Sequence, residues 1–248
     1  MIRTRTDGDV RVVTLDRPEA RNALRPADLT ALREAFAETE GGGDAGDRDA
    51  GDRDAAHPPV TLLRGAGDAF CAGADLDAVA ALDDPQAFAR RGQRVAAAIE
   101  ESPSVVVCGI DGPARGGGVE LALAADVRVA TPRATLAEPG VSLGLFGAWG
   151  GTVRLPRVMG EGDALDFALS GRVLDADAAL RTGLVSRVVD DPRSVADEIA
   201  AGEADALAAI KRRMRDRRES GTQEDAEAAA FADLHDAHAD EIARLRGE

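Results

Sequence analysis

The sequence predicts an α/β fold built around one main core, with a helical C-terminal region. Three observations predict it. Short, β-branched apolar runs alternate with helically spaced apolar residues. Two of those runs open directly into loops of small residues, and from about residue 192 the pattern is helical throughout. At 248 residues and 44% hydrophobic, the chain can bury one substantial core.

Each element follows from its local pattern. Residues 10–15 (Val-Arg-Val-Val-Thr-Leu) read as the first strand, after six residues that carry no apolar signal region. Pro26 opens a helix whose Leu29, Leu32 and Phe36 recur at three and four residues, proline being tolerated in the opening turn. Composition then shifts: Gly41-Gly42-Gly43-Asp44 begins a low-complexity tract in which Ala45-Gly46-Asp47-Arg48-Asp49 recurs at 50–54. Residues 41–57 are expected to be a disordered acidic loop, tolerated because loop-closure entropy grows slowly with length. A strand at 60–64, a helix at 86–101 with Phe88, Val95 and Ile99, a strand at 104–110, a turn at 111–113 and a strand at 127–130 complete the first part. Near the end, Phe231, Leu234, His238, Ile242 and Leu245 share one helical face, an apolar stripe that needs a cover.

Charge and cysteine content exclude several classes. Forty-five acidic against 30 basic residues give a net charge of −15, and Lys211 is the one lysine. Such a surface repels nucleic acid and anionic membranes, and it suits a cytoplasm of high ionic strength, where screening removes the self-repulsion. No apolar run approaches eighteen residues, so no membrane span is expected and a cytoplasmic location is. Cys71 and Cys108 alone cannot form a disulfide framework. Cys71, with no histidine near it in sequence, reads as a small filler. His235 and His238 are too weak a pair to imply a metal, and no metal-binding cysteine cluster, phosphate loop or dinucleotide fingerprint is visible.

Arg115-Gly116-Gly117-Gly118-Val119-Glu120-Leu121 carries the chemistry. Three glycines bare the backbone N–H groups at the start of a helix, and a carboxylate follows on its first turn. Taken alone, the triplet is equally a tight strand-to-helix turn. A second small-residue loop, Gly65-Ala66-Gly67-Asp68-Ala69-Phe70-Cys71-Ala72-Gly73-Ala74-Asp75-Leu76, follows the strand at 60–64, and the two loops could each give one N–H to a single oxygen. Together with Leu15-Asp16-Arg17-Pro18-Glu19-Ala20-Arg21-Asn22-Ala23-Leu24, Arg154-Leu155-Pro156-Arg157-Val158-Met159-Gly160 and Ser170-Gly171-Arg172, these segments resemble the enoyl-CoA hydratase/isomerase (crotonase) family over roughly residues 10–190.

That resemblance implies a spiral of repeated β-β-α turns over residues 1–190, with residues 191–248 as a helical oligomerisation region and assembly into a homotrimer or homohexamer. It implies an acyl-CoA substrate whose thioester oxygen accepts the backbone N–H groups of Ala74 and Gly117, each worth ~3 kcal/mol to the enolate. Glu120 matches a family glutamate that moves a proton at the carbon beside the thioester. Ala72, Ala74, Asp75, Leu76, Asp77, Gly116, Gly117 and Gly140 are carried over as substrate contacts. CoA enters as part of the substrate, so no cofactor and no metal are expected.

The chain departs from the family pattern at Gly140, Asp77 and Trp149. Gly140 stands where hydratases carry a second glutamate after a proline. Glu138, two residues earlier, is a candidate substitute, but two residues of extended chain displace a side chain by ~6.7 Å, and a partly exposed loop acid is the preferred reading of it. Asp77 stands where relatives often have lysine, and Trp149 lies among residues that are usually small, either lining an acyl pocket or packing in the core. The run Lys211-Arg212-Arg213-Met214-Arg215-Asp216-Arg217-Arg218 is either a phosphate-neutralising face for CoA or a solvated or intersubunit face. The expected activity is hydration of a 2-enoyl-CoA through a thioester enolate. Double-bond isomerisation with a single glutamate and non-catalytic binding of CoA esters stand as alternatives.

Overall fold

The computed structural model describes residues 2–37 and 58–245, so the expected loop at 41–57 lies outside the described residues. A six-stranded sheet runs in the order β1 (Ile2–Asp7), β2 (Val10–Leu15), β3 (Val60–Gly65), β4 (Val105–Ile110), β6 (Val127–Ala130), β9 (Arg187–Val188). β1 is antiparallel to β2 and the remaining neighbours are parallel.

Strand periodicity sorts the apolar side chains onto two faces. Val10, Val12, Val60, Leu62, Val105, Val107 and Val129 form one cluster with Val195 and Ala196 of helix α8 (Pro192–Ala200). Val13, Leu15, Leu63, Val106, Cys108 and Ile110 point the other way into the main core. That core also takes Leu29, Leu32 and Phe36 of α1 (Pro26–Ala37) and Val95 and Ile99 of α3 (Pro85–Glu101). Every residue of β4 is buried, as its unbroken apolar run requires.

A second sheet has three very short strands, β5 (Pro113–Arg115), β7 (Thr135–Ala137) and β8 (Leu174–Asp175). Proline 113 therefore does not finish a turn leading straight to the glycines; it begins a strand that pairs in parallel with β7. After β5 comes α4 (Gly117–Ala124), buried at all eight positions. The short α2 (Leu76–Ala80), α5 (Gly151–Met159), α6 (Glu161–Ser170) and α7 (Ala176–Arg181) complete the part around the second sheet.

Beyond α8 the chain is helical: α9 (Ala204–Arg215), α10 (Ser220–Ala237) and α11 (Ala239–Leu245). The stripe on α10 and α11 is largely uncovered, Phe231 and Leu245 being about 70% exposed. His238 does not pack within that stripe; its Nε2 lies 3.0 Å from Asp205 on α9. Among the described residues no helix is long and apolar enough to cross a membrane.

Candidate active site

The two small-residue loops are laced together by backbone hydrogen bonds. The N–H groups of Phe70 and Cys71 donate to the Pro113 carbonyl, and the Arg115 N–H donates to Cys71. Gly73, at φ +88°, makes the closest approach: a Cβ there would fall 2.5 Å from the Arg115 carbonyl oxygen and 3.2 Å from the Gly117 nitrogen. Neighbouring groups in this loop are spoken for. The Leu24 N–H donates to Gly73, the Asp75 N–H donates to Leu24, and the Gly73 N–H contacts the Cys71 sulfur. Among the described residues the Ala74 N–H between them has no acceptor, and neither has the Gly117 N–H at the first position of α4. Two donors without acceptors thus lie on adjoining segments.

Asn22 fixes this arrangement. It is buried in the left-handed region at φ +58°, and its amide nitrogen donates to the carbonyls of Ala66, Ala69 and Phe70 while its oxygen accepts from the Arg17 N–H. One side chain thus ties the N-terminal segment to the first loop. Asparagine tolerates this backbone better than most residues. Nothing in the local sequence marks that role, because the carbonyls it serves lie more than forty residues away.

Glu120 sits on the first turn of α4, only 2% exposed. Its Oε1 accepts the N–H groups of Trp149 and Gly151, each at 2.7 Å. Gly147 and Gly151 make room for it, since a Cβ at 147 would lie 2.8 Å from the carboxyl carbon and one at 151 would lie 2.9 Å from Oε1. Burial pushes its pKa up to about 7, against the two amide donors and the charge of Arg154, which favour the ionised form. A carboxyl poised there can both take and return a proton near neutral pH.

Glu138 corrects the expectation of a partly exposed loop acid. It is 6% exposed, its Oε1 is sealed from solvent, and that oxygen has no hydrogen-bond partner among the described residues. Burial first, and the Glu120 charge second, push its pKa up to about 8. The 6.7 Å offset does not apply either. Pro139–Leu143 is a 3₁₀ turn with Glu138 at its N-cap, so the chain is not extended between 138 and 140. The Gly116 N–H donates to Ala137, which sets Glu138 immediately after the β7 residue that faces the glycine loop. Gly140 turns its hydrogen toward the chain at 145–146: a Cβ there would meet the Leu145 carbonyl oxygen at 3.0 Å.

The other expected residues divide. Gly116 and Ala72 flank the free amides, half-buried. Asp75 is engaged elsewhere, capping α2 through the Ala78 N–H and pairing with Arg17 at 2.6 Å, so its carboxylate is not free for substrate. Leu76 and Asp77 are exposed on α2. Cys71 is buried with its thiol pKa pushed up to about 12 and its sulfur contacting the Asn22 carbonyl, consistent with a filler. Trp149 is a packing residue, 3% exposed, edge-on to Phe88 and seated where side chains at Gly92 and Gly117 would collide with it.

The basic run faces inward in part. Lys211 pairs with Asp126 at 2.8 Å, Arg215 pairs with Asp126 and Glu100, and Arg213 and Arg218 pair with Asp216. Lys211 and Arg215 therefore clamp α9 to α3 and to the start of β6, a role the charge pattern alone does not reveal.

A family profile described as enoyl-CoA hydratase/isomerase matches residues 5–243. A short-chain-enoyl-CoA hydratase of Clostridium acetobutylicum is 33% identical over 199 residues, 78% of this chain and 71% of that protein. A crotonyl-CoA hydratase of Syntrophomonas wolfei is 35% identical over 193 residues, 76% of this chain and 68% of that one. The crystal structure of an enoyl-CoA hydratase from Thermoplasma volcanium superposes with a TM-score of 0.84 at 30% identity, covering 96% of each chain.

Proposed function

This chain belongs to the enoyl-CoA hydratase/isomerase family, and on that premise we propose that it hydrates 2-enoyl-CoA thioesters. Water adds to C3 and the π electrons move toward the thioester oxygen. The N–H groups of Ala74 and Gly117 meet the charge that develops there, preorganised dipoles being most effective where water is excluded. Glu120, ionised, takes the proton released by the attacking water, and C2 is protonated to complete the 3-hydroxyacyl product.

The observation that carries this reading is the Glu120 carboxyl, buried, seated on two amides and titrating near 7, on the same helix turn as an acceptor-free Gly117 N–H. Gly140 favours a second reading, migration of a double bond in a 3-enoyl-CoA, which needs only one shuttling carboxyl. A homotrimer or homohexamer is part of the proposal, to be checked by sedimentation. Stopped assays with crotonyl-CoA and with a 3-enoyl-CoA, on wild type and Glu120→Gln, test the activity. Hydration that the substitution abolishes supports the first reading. Turnover of the 3-enoyl ester alone replaces it with the second, and tight binding without turnover of either ester excludes both.

A further inference from the structure

Among the described residues, Glu138 is a buried acid with no cation and no hydrogen-bond donor for its inner oxygen. Burying such a group is costly unless it is partnered. No ion pair or side-chain hydrogen bond to it occurs among the described residues, and it caps no helix, although it stands at the N-cap of a 3₁₀ turn. Its neighbours locate it. The backbone bond from Gly116 to Ala137 ties its strand to the glycine loop, and the one charge felt there is that of Glu120. At position 140, by contrast, a side chain would press on the Leu145 carbonyl and the Phe146 Cα. The family's second carboxylate is therefore absent where expected, while an unexplained carboxyl within reach of the Glu120 charge is buried two residues before that position.

We propose that Glu138 supplies the second carboxyl of the active site, the proton donor to C2 of the substrate. The inference rests on the hydratase reading above. In the step, a water O–H bond breaks and its proton passes to the Glu120 carboxylate as the C3–O bond forms. The π electrons flow into the enolate, which returns them to C2 as C2 takes the proton of the neutral Glu138 carboxyl. Transfer of the acquired proton from Glu120 to Glu138 restores the starting state, so water is the only reactant consumed besides the enoyl ester. An unpartnered inner oxygen suits this role, since a fixed donor or cation would hold the group ionised and unable to give a proton.

The test is crotonyl-CoA hydration by the full chain with Glu138→Gln and Glu138→Leu, alongside Glu120→Gln, each with its melting temperature. The expected result for both Glu138 variants is a fall in kcat of about 100-fold or more, with KM changed less than about threefold. Their melting temperatures should equal or exceed that of wild type, because the replaced group has no native partner to lose. Wild-type kcat in Glu138→Gln would overturn the inference, and with Glu120→Gln inactive it would leave the hydratase reading intact. Lost hydration accompanied by a lowered melting temperature in both Glu138 variants would also overturn it, identifying a structural acid. Absence of hydration in the wild type would remove the reading and the inference together.

Discussion

Two regions of this molecule draw carboxyl groups away from solvent, one partly and one almost fully, and treat them in opposite ways. At the foot of α9, Glu100 accepts from Arg154 at 2.5 Å and from Arg215 at 2.8 Å, while Asp126 accepts from Lys211, Arg215 and the Val106 N–H. Burial alone would push Glu100 up, but the two guanidiniums hold its pKa below the usual carboxylate range. At the glycine loop, among the described residues, Glu120 has only amide donors and Glu138 has no partner for its inner oxygen, and burial pushes both pKa values far above that range. Arg154 lies between the regions: its charge reaches Glu120, yet its hydrogen bonds go to Glu100. Where cations are supplied, a half-buried acid is an ionised clamp. Where they are withheld, it is a group able to exchange protons near neutral pH.

The comparison breaks first at Glu120. Glu120→Gln keeps the shape and removes the acid–base function, and crotonyl-CoA hydration should fall about 10³-fold. If the rate survives, the unpartnered region is not the catalytic one.

Thermal stability should distinguish the regions by the sign of their pH dependence. Glu138 has a folded pKa of about 8 against an ordinary 4.5, so its folded form binds more protons and its contribution to stability is lost as pH rises through the folded value. Glu138→Gln should match wild type near pH 5 and gain on it toward pH 9, by at most roughly 4 kcal/mol. Glu100 is shifted the other way. Glu100→Gln should cost stability above the ordinary carboxylate pKa, and that cost should vanish as pH falls through the lowered folded value. Melting curves across this range read both effects, and equal signs would defeat the distinction.

Smaller effects sharpen it. Gly147→Ala places a methyl 2.8 Å from the Glu120 carboxyl carbon and should cost about 100-fold in kcat through misplacement of the carboxyl. Asp126→Ala removes the carboxylate partner of Lys211 and leaves Arg215 with Glu100 alone, and because the cluster is partly solvated it should cost about 2 kcal/mol by denaturant melts, with kcat barely changed. Withdrawal of salt should lower the melting temperature modestly, since a net charge of −15 is then unscreened. An unchanged melting temperature in dilute buffer contradicts that last expectation.

Much of the scaffold was legible because its signals are local. β2, β3, β4 and β6 are apolar runs, α1 and α3 carry their periodicity in sequence, and a carboxylate just past three glycines needs no long-range information. β1 was not legible: all of it beyond Ile2 is exposed, so it shows no apolar alternation and exists by pairing with β2. β5, β7 and β8 are two or three residues long and depend on partners distant in the chain. The burial of Glu138 was hidden for a related reason. Pro139 begins a 3₁₀ turn, and nothing in the local sequence shows that the carboxyl just before it is buried. Lys211 and Arg215 looked like a surface run because Asp126 and Glu100, which turn them inward, are about 85 and 115 residues away in sequence.

Carboxyl titration by NMR of the protein carrying ¹³C-labelled glutamate, assigned with Glu120→Gln and Glu138→Gln, probes the contrast most directly. Two resonances should titrate at about 7 and about 8 and disappear one with each substitution, while that of Glu100 titrates below the ordinary carboxylate value. Titration of Glu120 and Glu138 with the ordinary surface carboxyls would contradict the account, because neither could then hold a proton at the pH where the chemistry is proposed to run.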